Sequence, residues 1–325
     1  MSATDPKEQA RRMKNLAAGF ALSHVVASEP YVDECIRLLK KRILSFAKPG
    51  APVHLDQWFN YMAFDVIAEI HFSRQFGFLE TGKDLGGSIA NSRLLVPYVT
   101  MVGFFRTLHR PTVGNPLITD WNPMLTQHIL DTTLSAIKAR QKNPDVREDV
   151  LLLWLKQHER YPEKLSEKEL HGCVNMSVGD ASDTVSASLQ SFFYLLIQNP
   201  QHLAVAKQEI ADANLTSEIV SDADASRLPF LQACETFGLA RVVPAAGVTI
   251  GGRHLEPGLS VNSRVIHYSR ELFGEDVGIY NPNRWIGPQA KNIKKCFVAL
   301  EIFKAAATLL HDFEFKPIDP EQKWS

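Results

Sequence analysis

Residues Ser166 to Asn199 read SEKELHGCVNMSVGDASDTVSASLQSFFYLLIQN, and the fold turns on how this stretch is understood. It opens with Ser166 and Glu169 in the S-x-x-E arrangement, whose side chains satisfy free amides in the first turn of a helix. It closes at Asn199-Pro200, because proline cannot donate the next helical hydrogen bond and restricts the residue before it. Between these marks Leu189, Phe192, Phe193, Leu196 and Ile197 recur at helical spacing, so the pattern predicts one long helix crossing a domain interior. The middle is unusual. Gly179, Asp180, Ser182, Asp183, Thr184, Ser186 and Ser188 are mediocre helix formers that prefer to bond their own backbone. Such a patch is either the wet face of an amphipathic helix or a polar, kink-prone binding site.

On the N-terminal side of this helix, Pro6 after Thr4-Asp5 predicts a helix running to about Leu22. Pro30 opens a second, with Val32, Cys35, Ile36, Leu39 and Ile43 as its apolar stripe, broken at KPGAP. Leu55 to Ile70 repeats the spacing, a looser region covers Ser73 to Gly87, and further helices are expected near 84–106, 121–142 and 147–158. On the C-terminal side, Pro200 to about Asn214 continues as helix and SDADASRLPFLQACETFG carries two short helical pieces. VTIGGRHLEPGLSV alternates around Gly251-Gly252 and Pro257-Gly258, which predicts short antiparallel strands. Lys291 to about His311 returns to helix, and Phe313–Lys316 reads as extended. The expected fold is mainly α with a small β element.

Composition narrows the function classes. The chain has 325 residues, 45% hydrophobic and 22% charged, enough for a large core. A net charge of −1 offers no basic field, so nucleic acid is not an expected partner. Cys35, Cys173, Cys234 and Cys296 are scattered, which argues for free thiols rather than disulfides or a zinc site. LLVPYVTMVGFF at 94–105 is too short for a membrane span, and no transmembrane segment is expected in this chain. H-E-x-x-H, Walker, G-x-G-x-x-G and G-x-S-x-G signatures are absent. The eleven histidines lack metal-ligand spacing and read as surface or capping residues, and Asp222 and Asp224 read as helix caps.

ASDTV at 181–185, followed by the apolar block and Asn-Pro, resembles the oxygen-activating helix of cytochrome P-450 monooxygenases, roughly A-G-x-D/E-T-T. Ala181 stands for the glycine, Asp183 and Thr184 match the acid and alcohol, and Val185 replaces the second threonine. The downstream run resembles fungal, microsomal-type members of that family. Pro257-Gly258, Val261, His267, Phe273-Gly274, Asp276 and Asn281-Pro282-x-Arg284-Trp285 all fit, with Asn283 in place of the usual glutamate. DPKEQARR and AFDVIAEIHFSRQFGFLETGKD fit as well, so the resemblance covers nearly the whole chain.

That resemblance implies heme b held by a cysteine thiolate, an NADPH-dependent reductase and an apolar small-molecule substrate, in fungal secondary metabolism. Asp183 and Thr184 would be catalytic, delivering protons. Arg241 would bind a heme propionate. Arg11, Arg12 and Lys14 lie near the other propionate contact, although Gln9 and Met13 occupy its expected positions. Cys296 would be the metal ligand, and Glu235 and Arg284 would share a buried charge network. Such enzymes sit on the endoplasmic reticulum membrane. With no anchor here, the expected place is intracellular, cytoplasmic or peripheral.

Two departures qualify this. The family's E-x-x-R helix has Glu235, but Gly238 takes the arginine's place, so Arg284 is expected to lose a partner at a cost of about 3–5 kcal/mol. The heme loop F-x-x-G-x-x-x-C-x-G is also missing. After Trp285 the chain reads IGPQAKNIKKCFVALEIFK, and Phe297-Val298 follow Cys296 where x-Gly belongs. The expectation is therefore one P450-like domain over 1–325, incomplete, without the N-terminal anchor and β-sheet region. An open edge is expected on the 248–262 hairpin, with exposed apolar surface that promotes association. The alternative is a heme-free, inactive remnant or incomplete gene model, acting at most as a hydrophobic-ligand or protein-binding module.

Overall fold

A computed structural model of the chain describes residues 6–104, 111, 115, 127–143, 147–234, 240–242, 248–250, 253–255, 260–262, 270, 275–276, 278–286 and 300–319. The described chain is mostly helical, and it divides into two compact units, 1–186 and 187–325.

In the first unit, α1 (Pro6–Leu16) stops earlier than its sequence suggests, passing through a 3-10 turn (Ala17–Phe20) into α2 (Leu22–Ala27). The cause is tertiary. Trp154 donates its indole N–H to the Leu16 carbonyl at 3.1 Å. It also lies so close to Gly19 that a Cβ there would stand 2.6 Å from the indole nitrogen. The glycine permits an approach that a continuous α-helix with side chains would block.

Helix α3 (Glu29–Ala47) buries the stripe read from its sequence, Val32, Cys35, Ile36, Leu39 and Ile43. It packs on α4 (Leu55–Phe72), which is buried almost all round and also contacts the single turn α5 (Phe78–Thr81). Asp65 of α4 ties that turn down. Its Oδ1 accepts from the Gly77 and Phe78 amides at 2.8 and 3.2 Å, and its Oδ2 accepts from Leu79 at 2.7 Å.

Helix α4 ends at Ser73, a left-handed residue (φ 57°). The Ser73 hydroxyl donates to Asp149 at 2.6 Å, and Asp149 caps the next helix by accepting from Leu152 N at 2.8 Å. Arg140 of α7 (Gln127–Lys142) pairs with the same carboxylate in the interior, ahead of α8 (Val150–Arg160). Helix α6 (Ser88–Phe104) is held at its start by Asp84, which accepts from the Ile89 and Ala90 amides at 3.0 Å each.

Helix α9 (Glu167–Gln198) contributes residues to both units, the division falling between Ser186 and Ala187. In the second unit follow α10 (Pro200–Asp212), the short α11 (Asp222–Ala225) and α12 (Pro229–Ala233), and α13 (Leu300–Asp312). Glu209 of α10 caps α12, accepting from Phe230 N and Leu231 N at 2.8 Å each. Ser221, rather than Asp222 or Asp224, caps α11 by accepting from Asp224 N. Helix α13 packs on α10 and α11, and its Thr308 hydroxyl accepts from Val220 N at 3.0 Å.

Four three-residue strands pair antiparallel in two ribbons. β1 (Ala240–Val242) faces β4 (Ser260–Asn262), and β2 (Val248–Ile250) faces β3 (Arg253–Leu255). Within the 248–262 segment, β4 thus has a ladder partner in β1 along one of its two sides. Phe313–Lys316 follow α13 without regular structure, and Phe315 meets Phe193 edge-on at 5.1 Å.

Candidate functional site

Helix α9 runs for 32 residues without interruption. Its capping box is complete. Glu169 Oε2 accepts from Ser166 N at 3.0 Å and Ser166 Oγ at 2.9 Å, while Ser166 Oγ accepts from Glu169 N at 3.3 Å. The other carboxylate oxygen accepts from Arg11 at 2.6 Å, and Arg11 and Arg12 both bond Glu8. These two arginines therefore clip α1 to the start of α9. Their hydrogen bonds hold the Glu8 carboxyl down to about 2, and Glu8 and Glu169 push the Arg11 guanidinium up.

The polar middle does not kink. Ser177, Ser182 and Thr184 donate to carbonyls four residues back, at 2.9, 2.8 and 3.0 Å, so the hydroxyls are satisfied within the helix without ending it. Nor is the patch a wet face. Ser177, Ser182, Ser186 and Ser188 are buried, Asp183 and Thr184 are half-buried, and Asp180 is exposed. A helix with small polar residues on its packed side and an acid–alcohol pair at the margin is built to bring a protonatable group next to the interior.

Asp183 is that group. Burial pushes its carboxyl up from the usual range, a hydrogen bond from Ser92 of α6 pulls it back, and the neighbouring Asp180 charge raises it again. A carboxyl raised this way holds its proton closer to neutral pH than an exposed aspartate does. The adjacent Thr184 hydroxyl is directed to the Asp180 and Ala181 carbonyls.

Of the remaining sequence-predicted site residues, Arg284 is the one whose side chain is described. Arg284 sits in a 3-10 turn (Pro282–Trp285), largely buried, and bonds Asp276 Oδ2 at 2.7 Å as well as the Asp276 carbonyl. Asp276, from the Phe273-Gly274-x-Asp276 motif, gives Arg284 an ion-pair partner, and Arg284 in turn holds its carboxyl low. Arg241 lies in β1 opposite Val261, its side chain outside the described residues. Glu235 and Cys296 also lie outside the described residues.

The described cysteines, Cys35, Cys173 and Cys234, are buried thiols outside any disulfide. Burial, then the charges of Asp65 and Glu69, push the Cys35 thiol well above its ordinary value. Among the described residues, no group of three or more His, Cys, Asp or Glu side chains could hold a metal ion. A surface cavity of about 350 Å³, lined by Leu38, Lys41, Arg42, Ser45, Gln75 and Glu80, includes no α9 residue.

Four participants escaped the sequence reading: Ser92, Asp65, His71 and the Asp276 partnership. His71 is 1% exposed, neither a surface nor a capping residue. Asp276 had a signal, since it stands in a motif just ahead of Arg284. Ser92 had none, because nothing in LGGSIANSRLL ties it to a residue 91 positions away.

The sequence model of the family described as Cytochrome P450 matches residues 1–299. Cytochrome P450 monooxygenase cfoH of Aspergillus candidus is 26% identical over 369 aligned positions, 99% of this chain and 68% of the relative. That alignment is longer than the 325-residue chain, so the relative carries internal stretches without a counterpart here. Cytochrome P450 monooxygenase cicH of Emericella nidulans is 27% identical over 97% of this chain and 71% of its own. Pisatin demethylase of Fusarium vanettenii is 24% identical over 98% and 70%.

Proposed function

Because the chain belongs to the cytochrome P450 family, we propose that it is a monooxygenase of an apolar small molecule in which Asp183 and Thr184 deliver protons. The observation that carries this reading is the half-buried acid–alcohol pair in the middle of the unbroken α9. A raised carboxyl next to a hydroxyl can hold a proton, hand it on and recover another from the solvent side, where Asp180 is exposed. Heme, when bound, would supply the oxygen-activating redox chemistry, with electrons from an NADPH-dependent reductase.

A buried, neutral thiol such as Cys35 does not suit an axial thiolate. Cys296 is the remaining thiol in the sequence, and Arg241 the propionate candidate. A peripheral place at the endoplasmic reticulum membrane accords with the family. Among the described residues, no helix is long and apolar enough to cross a membrane.

A second reading, a heme-free binding module for an apolar ligand or protein, is favoured by one observation. The 14 residues IGPQAKNIKKCFVA between Trp285 and Leu300 lack the F-x-x-G-x-x-x-C-x-G loop. The two readings separate in a single experiment. The purified chain is supplied with heme, reduced, and its spectrum recorded under carbon monoxide. A thiolate-type Soret band that disappears in Cys296→Ser supports the monooxygenase. A chain that shows no such band after heme loading is the binding module.

A further inference from the structure

The second half of α3 is basic. Between Ile36 and Pro49 the chain carries Arg37, Lys40, Lys41, Arg42 and Lys48 and no acid. Leu38, Lys41, Arg42 and Ser45 stand at i, i+3, i+4 and i+7, so they share one face of α3, beside its buried stripe. With Gln75 and Glu80, from the segment that follows α4, they line the surface cavity of about 350 Å³. That is at the small end of ligand pockets, which span roughly 300–1,000 Å³.

Both walls of the cavity are held. Asp65 ties down the amides of residues 77–79. Arg42 reaches across from α3, its Nε donating to the Leu79 carbonyl at 2.9 Å and its Nη2 to the Glu80 carbonyl. The donors that remain are unused. Among the described residues, the Lys41 ammonium, the Gln75 amide and Arg42 Nη1 have no hydrogen-bond or ion-pair partner, and Glu80 pairs with neither cation. The Ser45 hydroxyl is turned back to the Arg42 carbonyl at 2.6 Å. Two cations against one carboxylate leave a single net positive charge, which matches a monoanion better than a dianion.

We propose that this cavity is a binding site for a small organic carboxylate, whose oxygens accept from Lys41, Arg42 and Gln75 while its apolar part lies on Leu38. The inference does not rest on the function proposed above, since the cavity includes no α9 residue and its chemistry calls for no heme.

Isothermal titration of the full chain with benzoate, its neutral counterpart benzamide and inorganic phosphate tests the inference. Benzoate is expected to bind at least about tenfold more tightly than either of the others, because a carboxylate forms charge-assisted hydrogen bonds with these donors. Lys41→Ala is expected to weaken benzoate about tenfold, Gln75→Ala about threefold, and Lys41→Arg to restore much of the loss. Lys48→Ala, on the same helix but outside the lining, should change it less than about twofold. Lys41 is exposed, so its variants should unfold at the wild-type temperature. Equal losses in Lys41→Ala and Lys48→Ala would mean a diffuse basic field, and no loss in either would place benzoate elsewhere on the chain. Each of these results overturns the site. Phosphate binding more tightly than benzoate overturns the ligand class, and wild-type chain that takes up no benzoate at about 10 mM overturns the proposal altogether.

Discussion

Asp65 and Asp183 are both carboxylates held inside the first unit, and they are treated in opposite ways. Asp65 is fully buried and receives three backbone amides from residues 77–79, both oxygens being used. Asp183 is half-buried on α9, where burial pushes its carboxyl up and the Ser92 side chain pulls it back. Burial raises both groups, but at Asp65 the amides of Leu79, Gly77 and Phe78 oppose the shift. The first arrangement fixes a turn and leaves the carboxylate nothing further to do. The second leaves a carboxyl under-served at the edge of the interior, which is a condition for moving protons. Saturation of hydrogen bonds, more than burial, separates these two acids, and it leaves Asp183 the one suited to the proton-delivering role proposed for it.

The sharpest way to break this comparison is to delete each carboxylate. Asp65→Ala strands three amides of a buried turn and is expected to cost on the order of 3–5 kcal/mol, read from denaturant unfolding. Asp183→Ala should cost less than about 1 kcal/mol near neutral pH, because removing a poorly served charge offsets the lost contact. Equal losses would end the distinction.

A second buried titratable group sharpens it. His71 is enclosed, with Trp154 edge-on at 5.7 Å, and neither ring nitrogen reaches a partner at hydrogen-bonding geometry. Burial drives it down to about 4 from 6.5, with the Ile67 carbonyl opposing. The folded state thus prefers neutral histidine, so this contribution is complete above about pH 6.5 and is lost as pH falls toward 4. The loss amounts to about 3 kcal/mol at most. His71→Leu is expected to flatten the unfolding free energy across that window, and an unchanged acid slope would show that the ring is solvated.

The smallest effect concerns the helix that carries Asp183. Ser166→Ala removes one side of the capping box and is expected to cost about 1 kcal/mol, measured by thermal unfolding. A larger loss would mean that Glu169 also depends on Ser166 to hold Arg11 and, with it, α1.

What was legible in the sequence is local. The start, end and apolar face of α9 follow from Ser166, Glu169, Asn199 and the 3–4 spacing of Leu189 to Ile197. The α3 stripe follows in the same way, since each signal lies within a turn or two of the residue it governs. Asp183 and Thr184 were visible as a pair for the same reason. The early end of α1 was not visible, because it depends on Trp154, more than a hundred residues away, pressing against Gly19. That α9 stays helical through its polar middle also lay beyond the sequence, since hydroxyls such as those of Ser182 and Thr184 can bond within a helix or in other backbone shapes, and here they bond within it. Asp65 as an anchor, His71 as a buried base and Asp276 as the partner of Arg284 were all decided by tertiary structure. Periodicity reports which face of an element is buried, but not which residue of another element will stand opposite. Only the folded chain brings donor and acceptor within the roughly 3 Å that a hydrogen bond requires.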